Sequence, residues 1–160
     1  MYKKILFSVL SSVLLSCDTD TVFSSYAAIG DSWEKGEKKQ FIFQAKDTIN
    51  RYHVFITVRN NENYKFNNLF LIASMKFPDG KIIADTLEYA MAKPDGEWLG
   101  SGFTSVKESK LWYKENMVFP IPGAYYFSLE HAMRKNGVVA GIRQLEGITD
   151  IGIKIDKSDK

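Results

Sequence analysis

Hydrophobic and polar residues alternate along several short stretches of the chain. In the segments 41–45, 52–58 and 151–155, apolar side chains stand two residues apart. Side chains with that spacing lie on one face of a β-strand, so each segment is predicted to be a half-buried strand.

Less regular apolar runs predict the remaining strands. Residues 68–77 begin almost entirely apolar, which predicts a central strand covered on both faces there, and residues 81–92 follow as its partner. Residues 110–119 and 124–129 are two more predicted strands, and residues 22–27 are an additional candidate. The expected total is seven or eight strands.

Turn-forming residues separate these runs. Pro78-Asp79-Gly80 lies between two of them, and it predicts a hairpin because proline presets the first turn residue and glycine supplies positive φ. A second Pro-Asp-Gly at residues 94–96 predicts another turn, and the asparagine-rich segment 60–68 is a turn or loop. One short helix is predicted at residues 128–135. The pattern as a whole predicts an all-β fold, an antiparallel β-sandwich of jelly-roll or immunoglobulin-like type.

The first residues of the chain have the composition of a targeting signal. Lys3 and Lys4 precede an apolar run, residues 5–15, that is interrupted only by serines. The run is about half as long as the ~20 apolar residues that cross a bilayer, so it predicts a secretory signal peptide rather than a membrane-spanning helix. Leu14-Leu15-Ser16 then stands directly before Cys17, the single cysteine of the sequence.

This ending resembles the bacterial lipobox, in which the cysteine thiol receives a diacylglyceryl group and the chain is cut just before the cysteine. The resemblance implies that residues 1–16 are a lipoprotein signal peptide and that Cys17 is the lipid attachment site. A lipidated N-terminus and linker, residues 17–30, would follow. Two or three acyl chains meet the requirement for stable membrane anchoring. The alternative is a buried cysteine of a cytosolic domain, which has no need of the basic pair and the apolar run.

Composition limits the number of domains and the classes of partner. Residues 31–157 suffice for one domain and are predicted to form a single sandwich. The net charge of +2 includes Lys3 and Lys4, so the chain after residue 16 is neutral. A neutral chain is a poor match for nucleic acid, whose partners carry a basic face. With the cysteine acylated there is no disulfide, so the core must supply the stability.

Residue types that carry catalysis or bind metals form no recognisable motif. His53 and His131 are far apart and belong to no zinc-binding spacing. His53 is predicted to be solvated on the outer side of a strand, and His131 to make a polar contact. No Gly-x-Ser-x-Gly elbow is present, and spacing singles out no pair among the 19 carboxylates. Spacing along the sequence therefore singles out no catalytic or metal-binding site.

Aromatic residues in the second half of the chain leave one binding alternative open. Five of them would form a platform for a sugar or a peptide if the core did not take them, namely Trp98, Trp112, Tyr113, Tyr125 and Tyr126. A glycan- or peptide-binding lipoprotein module is therefore the alternative function. A hydrolase with paired carboxylates in a cleft is the third class.

A series of motifs in a fixed order spans nearly the whole predicted domain. It runs through Cys17, Trp33, the Phe41/Phe43 pair, Gly-x-Trp-Leu-Gly-x-Gly at 96–102, Gly-x-Tyr-x-Phe at 123–127 and Glu-x-Ala-Met-Arg at 130–134. By these residues the chain resembles the gliding motility lipoproteins of the GldH type found in Bacteroidetes. Within the motifs, the candidate binding or structural residues are Trp98, Gly100, Gly102, Tyr125 and Arg134.

The resemblance implies a non-enzymatic envelope protein that is a component or accessory of the gliding motility and type IX secretion apparatus. It implies no cofactor and no catalytic residue. The implied partners are the membrane, through acyl chains on Cys17, and other envelope proteins of that machinery. The implied location is the outer membrane with the domain in the periplasm, and surface display is the alternative.

Overall fold

The computed structural model describes residues 20–158. Cys17 and the predicted signal peptide lie outside these residues. The strands are β1 (Thr21–Ala28), β2 (Ser32–Glu34), β3 (Lys39–Ala45), β4 (Tyr52–Asn60), β5 (Asn68–Lys76), β6 (Ile82–Ala90), β7 (Lys107–Met117), β8 (Gly123–His131), β9 (Gln144–Glu146) and β10 (Ile148–Lys157). The described part of the chain contains no helix, and accordingly none that could cross a membrane.

Two four-stranded antiparallel sheets make up the body of the fold. The first sheet has the order β1-β10-β4-β7 and the second has the order β3-β8-β5-β6, while β2 and β9 pair in a small ribbon. At one side β1 lies over β3, where the rings of Phe23 and Phe43 are 5.5 Å apart. At the other side β7 lies over β6, where the Tyr113 hydroxyl donates to Asp85. The predicted all-β antiparallel sandwich is confirmed.

The alternation in the sequence determines which side of each strand faces the core. In β4 the residues Tyr52, Val54, Ile56 and Val58 are all buried between the sheets. In β10 the isoleucines at 151, 153 and 155 are fully buried beside them. Burial of each such side chain stabilises the fold by about 1.5–3 kcal/mol.

An aromatic cluster fills one end of the core. Phe119 is fully buried, and its ring centroid lies 4.9 Å from that of Phe43, 5.6 Å from that of Tyr52 and 4.8 Å from that of Tyr125. Phe119 stands at the end of the strand predicted at residues 110–119, but β7 ends at Met117. Phe119 therefore enters the core from the loop that joins the two sheets.

The strand count differs from the predicted seven or eight. Ten strands are present in residues 20–158, because β2 and β9 were not predicted. β1 confirms the additional candidate strand at residues 22–27, and it belongs to the first sheet rather than to the linker predicted at residues 17–30. β5 was predicted to be covered on both faces, but its outer residues are half-exposed because no third layer lies over the second sheet.

The predicted short helix at residues 128–135 is wrong. β8 extends through His131, and its buried side chains Tyr125, Phe127, Leu129 and His131 follow a period of two. Met133 continues that period as a buried residue beyond the strand. His131 is a polar residue at a position of β8 that faces the core, so the alternation of apolar and polar residues is not visible in the sequence there.

The strand directions divide the loops between two ends of the sandwich. At the proximal end, β1 begins, β10 ends, and the chain turns at residues 46–51, 77–81 and 118–122. Gly80 in the predicted Pro-Asp-Gly hairpin has a φ of 88°, as such a turn requires. The opposite, distal end is formed by residues 61–67, 91–106 and 132–143. The described chain therefore starts at the proximal end.

Asp47 organises the proximal loop 46–51. Its carboxylate accepts the backbone N–H of Asn50 at 3.0 Å and that of Ile49 at 2.8 Å, and the Tyr52 hydroxyl donates to it at 3.3 Å. These hydrogen bonds, the one from Asn50 first, lower the pKa of Asp47 from 3.8 to about 2. The carboxylate form of Asp47 therefore holds this turn together.

We expect the substitution Asp47→Asn to remove part of the acid sensitivity of the fold. Because the folded pKa lies below the unfolded value of about 3.9, the contribution of Asp47 is present above pH 4 and is lost as the pH falls toward 2. The difference in melting temperature between wild type and Asp47→Asn should shrink over that interval. Asp31→Asn, at an exposed turn after β1, is the matched control. A pH-independent difference for Asp47→Asn would contradict the expectation.

Candidate functional site

The two histidines have structural partners rather than a shared site. His53 is half-buried on the outer side of β4, where its ring centroid lies 5.0 Å from that of Trp112. His131 is buried at the distal end, with Nε2 3.0 Å from the Trp33 carbonyl oxygen. Residues 20–158 contain no group of three or more histidine, aspartate or glutamate side chains that could hold a metal ion.

The aromatic platform that the sequence left open as an alternative does not form. Tyr125 and Tyr113 are buried and Trp98 is half-buried. Trp112 and Tyr126 are exposed, but they lie on the outer faces of different sheets. The five rings therefore share no common surface.

Tyr125 connects the core to the proximal end. Its hydroxyl donates to the Ile121 carbonyl at 2.9 Å and accepts the Ile121 N–H at 3.2 Å. Its ring also packs 5.1 Å from that of Phe77, next to the hairpin. In this structure Tyr125 holds the loop 118–122 against the core.

Gly100 and Gly102 let the distal segment 91–106 approach β7 closely. A methyl group on Gly100 would lie 2.9 Å from the Glu108 carbonyl oxygen, and one on Gly102 would lie 2.6 Å from the Val106 carbonyl oxygen. Between the two glycines, Ser101 exchanges two backbone hydrogen bonds with Glu108. Trp98, before them, packs its ring 6.1 Å from that of Tyr64. These glycines and Trp98 therefore shape the distal end.

The segment from Glu130 to Arg134 alternates between the core and the surface. The ring of His131 packs edge-on against that of Trp33 with centroids 5.5 Å apart. Met133 is buried, and its sulfur accepts the Phe70 N–H at 3.2 Å. Arg134 then points away from the core and is exposed. The buried residues fix the position from which Arg134 projects.

A cavity of about 200 Å³ lies beside this segment at the distal end. We call it the distal cavity. Its wall is formed by the end of β8, the turn after β2 and the loop 132–143. The lining residues include Lys35, Glu130, His131, Met133, Arg134 and Val139. A neighbouring depression of about 410 Å³ lies on the same loop and is lined by Lys135 and Arg143. Exposed apolar side chains of Val138 and Val139 stand on the loop between them.

Charged side chains shield the outer face of the first sheet. Arg59 donates to Glu108 at 2.6 Å while its guanidinium lies 4.3 Å from the centre of the Tyr26 ring. Lys110 reaches over Phe55, 4.0 Å from the ring centre, to pair with Asp156 at 2.6 Å. Phe55 is consequently only 5% exposed although it lies outside the core. This face is covered by the chain itself.

Tyr26 completes that cover. Its hydroxyl donates to Glu108 at 3.1 Å, and burial is the main cause that raises the pKa of Tyr26. The ring lies over Gly152, where a methyl group would meet the Tyr26 ring at 3.1 Å and the Ser25 carbonyl oxygen at 2.4 Å. A glycine in β10 therefore makes room for the aromatic ring of the neighbouring strand.

The motif at residues 130–134 contains Glu130, His131, Met133 and Arg134, but no motif in the sequence points to Lys35 or Val139. Lys35 reaches Arg134 because the ribbon of β2 and β9 brings their segments together, and Val139 lies on the same loop as Arg134. One signal was available. The loop 132–143 contains Arg134, Lys135 and Arg143 and no acidic residue.

Comparisons with known proteins identify relatives along nearly the whole described chain. The family described as GldH lipoprotein matches residues 21–155. A gliding motility lipoprotein GldH homolog from Christiangramia forsetii is 54% identical over 144 residues, which cover 90% of this chain and 88% of that protein. The gliding motility lipoprotein GldH of Flavobacterium johnsoniae is 44% identical over 152 residues, which cover 94% of each chain.

Solved structures offer only a distant likeness. A structure of the infectious bursal disease virus Gt strain matches 96% of this chain and 38% of the viral chain, at 14% identity and a TM-score of 0.39. A likeness this weak carries no argument about the fold or the role of the chain.

Proposed function

The chain belongs to the GldH lipoprotein family, and we propose that it acts as a lipid-anchored, non-catalytic component of the gliding motility and type IX secretion apparatus. The observation that carries the proposal is the similarity to two gliding motility lipoproteins over almost their full lengths. In both comparisons the matched region includes the distal end as well as the sheets.

Anchoring through Cys17 fits the position at which the described chain begins. β1 starts at Thr21, four residues after Cys17. Four residues of extended chain span at most ~14 Å. Acyl chains on Cys17 would therefore hold the proximal end close to the membrane surface and leave the distal end facing away from it. We place the anchor in the outer membrane and the domain in the periplasm.

A non-catalytic role is supported by the ion pairs that carboxylates of the fold form. The carboxylates of Asp85, Glu108 and Asp156 pair with lysine or arginine. Catalytic carboxylates are instead found in clefts with strongly displaced pKa values. The described surface offers loops and small depressions, which suit contact with another protein.

Affinity purification from the bacterium's own envelope tests the proposal. The tagged protein is extracted with mild detergent, and co-purifying proteins are identified by mass spectrometry beside the variant Cys17→Ala. We expect wild type to stay in the membrane fraction and to recover other gliding or secretion components. Cys17→Ala should leave the membrane fraction and lose most of them. Retention of Cys17→Ala in the membrane, or the absence of any envelope partner, would contradict the proposal.

A further inference from the structure

Two cations at the rim of the distal cavity have no carboxylate of their own. The acidic residue of the wall, Glu130, is already 3.6 Å from Lys38. Within residues 20–158, neither Lys35 nor Arg134 is within ion-pair distance of a carboxylate. Gly141 lets Lys35 lie across the loop, since a methyl group there would meet the Lys35 Nζ at 3.1 Å. The cavity therefore offers positive charge to an anionic group.

The size of the cavity limits the ligand. Pockets for drug-sized molecules measure roughly 300–1,000 Å³, whereas this cavity measures about 200 Å³. It takes one side chain with its adjoining main chain.

The surroundings favour an acidic segment over a single anion. Lys135 and Arg143 continue the positive charge along the loop into the neighbouring depression, and Val138 and Val139 are exposed between the two. A segment in which acidic and apolar residues alternate would meet both features. The strands are nine or ten residues long in β4 and β10, so the cavity is roughly 30 Å from the proximal end. Lipid headgroups of the anchoring leaflet are therefore out of reach.

We propose that the distal cavity binds a glutamate or aspartate side chain within an extended acidic and apolar segment of a partner protein. Lys35 and Arg134 bind the carboxylate, and the exposed Val138 and Val139 contact the apolar residues of the same segment. The inference rests on the proposed function, because it takes the distal end to face away from the anchoring membrane.

The experiment uses the acylated full-length mature protein in detergent micelles, labelled with ¹³C at the methionine methyl groups. The probe is the capped peptide acetyl-Glu-Val-Glu-Val-Glu-amide, with the glutamine peptide of the same length as its control. Met133 lines the cavity, whereas Met75 and Met91 are buried elsewhere and serve as internal references. The glutamate peptide should shift the Met133 signal saturably, and the glutamine peptide should not.

Variants locate the binding groups. Arg134→Gln and Lys35→Gln should each weaken the peptide about tenfold, and Arg134→Lys should recover part of that loss. Lys65→Gln removes one exposed lysine from the distal end outside both depressions, and it should leave the affinity unchanged. Equal binding of the two peptides, equal loss in Lys65→Gln, or competition by inorganic phosphate at the concentration of the glutamate peptide would overturn the inference.

The same variants separate this inference from the proposed function. Lys35→Gln/Arg134→Gln keeps Cys17, so it should remain in the membrane fraction and yet lose the partners that wild type recovers. If the double variant recovers all of them, the cavity inference fails while the anchoring proposal stands. If Cys17→Ala behaves like wild type, the anchoring proposal fails whatever the peptide does.

Discussion

Replacing Gly147 with alanine is expected to destabilise the protein by about 2–5 kcal/mol. Gly147 joins β9 to β10 with a φ of 87°, a conformation that costs an alanine roughly 1–2 kcal/mol. The new methyl group would also lie 2.0 Å from the Tyr64 nitrogen and 2.4 Å from its Cα. Backbone atoms cannot move aside as a flexible side chain can, so overpacking adds about 1–3 kcal/mol. Chemical denaturation followed by tryptophan fluorescence measures the loss.

Gly80→Ala separates the two causes. Gly80 has nearly the same φ, 88°, but nothing lies within 4 Å of the position its methyl group would take. Its loss should be limited to the conformational cost of about 1–2 kcal/mol. If Gly147→Ala is no more destabilising than Gly80→Ala, the close packing of Tyr64 on Gly147 is not as described.

Truncation of Phe119 is the second large effect that we expect. Phe119 contacts the rings of Phe43, Tyr52 and Tyr125 and has no exposed surface. Phe119→Ala should cost about 3–5 kcal/mol, because it removes buried apolar surface and leaves a cavity among rings that belong to both sheets. For a domain with about 5–15 kcal/mol of stability, that loss is a large fraction of the total.

Phe103→Ala is the matched control, since it is the same substitution at a fully exposed position. It should change the free energy of unfolding by less than about 0.5 kcal/mol. A small loss for Phe119→Ala, close to that of Phe103→Ala, would mean that the aromatic cluster is not the joint between the two sheets.

The strands that could be predicted are those whose apolar residues alternate with polar ones and those that are bounded by recognisable turn residues. β4 and β10 show alternate apolar residues over their length, and the β5-β6 hairpin has its Pro-Asp-Gly turn. β2 and β9 have three residues each, too few to show a period. They pair because Trp33 and Leu145 bury their side chains at the distal end, a tertiary effect that no local pattern reports.

The candidate site was predictable in part for a similar reason. Arg134 stood in a motif, but the role of its neighbours depends on which segments come together. His131 was predicted to make a polar contact within a short helix, and it is a buried member of a strand that packs against Trp33. Lys35 meets Arg134 across the cavity only after β2 and β9 have paired. The spacing of residues along the sequence does not predict that Lys35 and Arg134 lie at the same cavity.

The pairing of the first strand with the last has a consequence for the order of folding. Thr21 in β1 donates to Asp156 in β10, a partner 135 residues later in the chain. A contact between residues so far apart in sequence forms only after the chain has lost the entropy of closing the loop between them. Contacts of this kind therefore slow folding. β10 also separates β1 from β4, so the first sheet has no complete interior until the C-terminal strand arrives. If the chain is exported N-terminus first, as we propose, the first sheet can close only after the C-terminal strand has crossed the membrane.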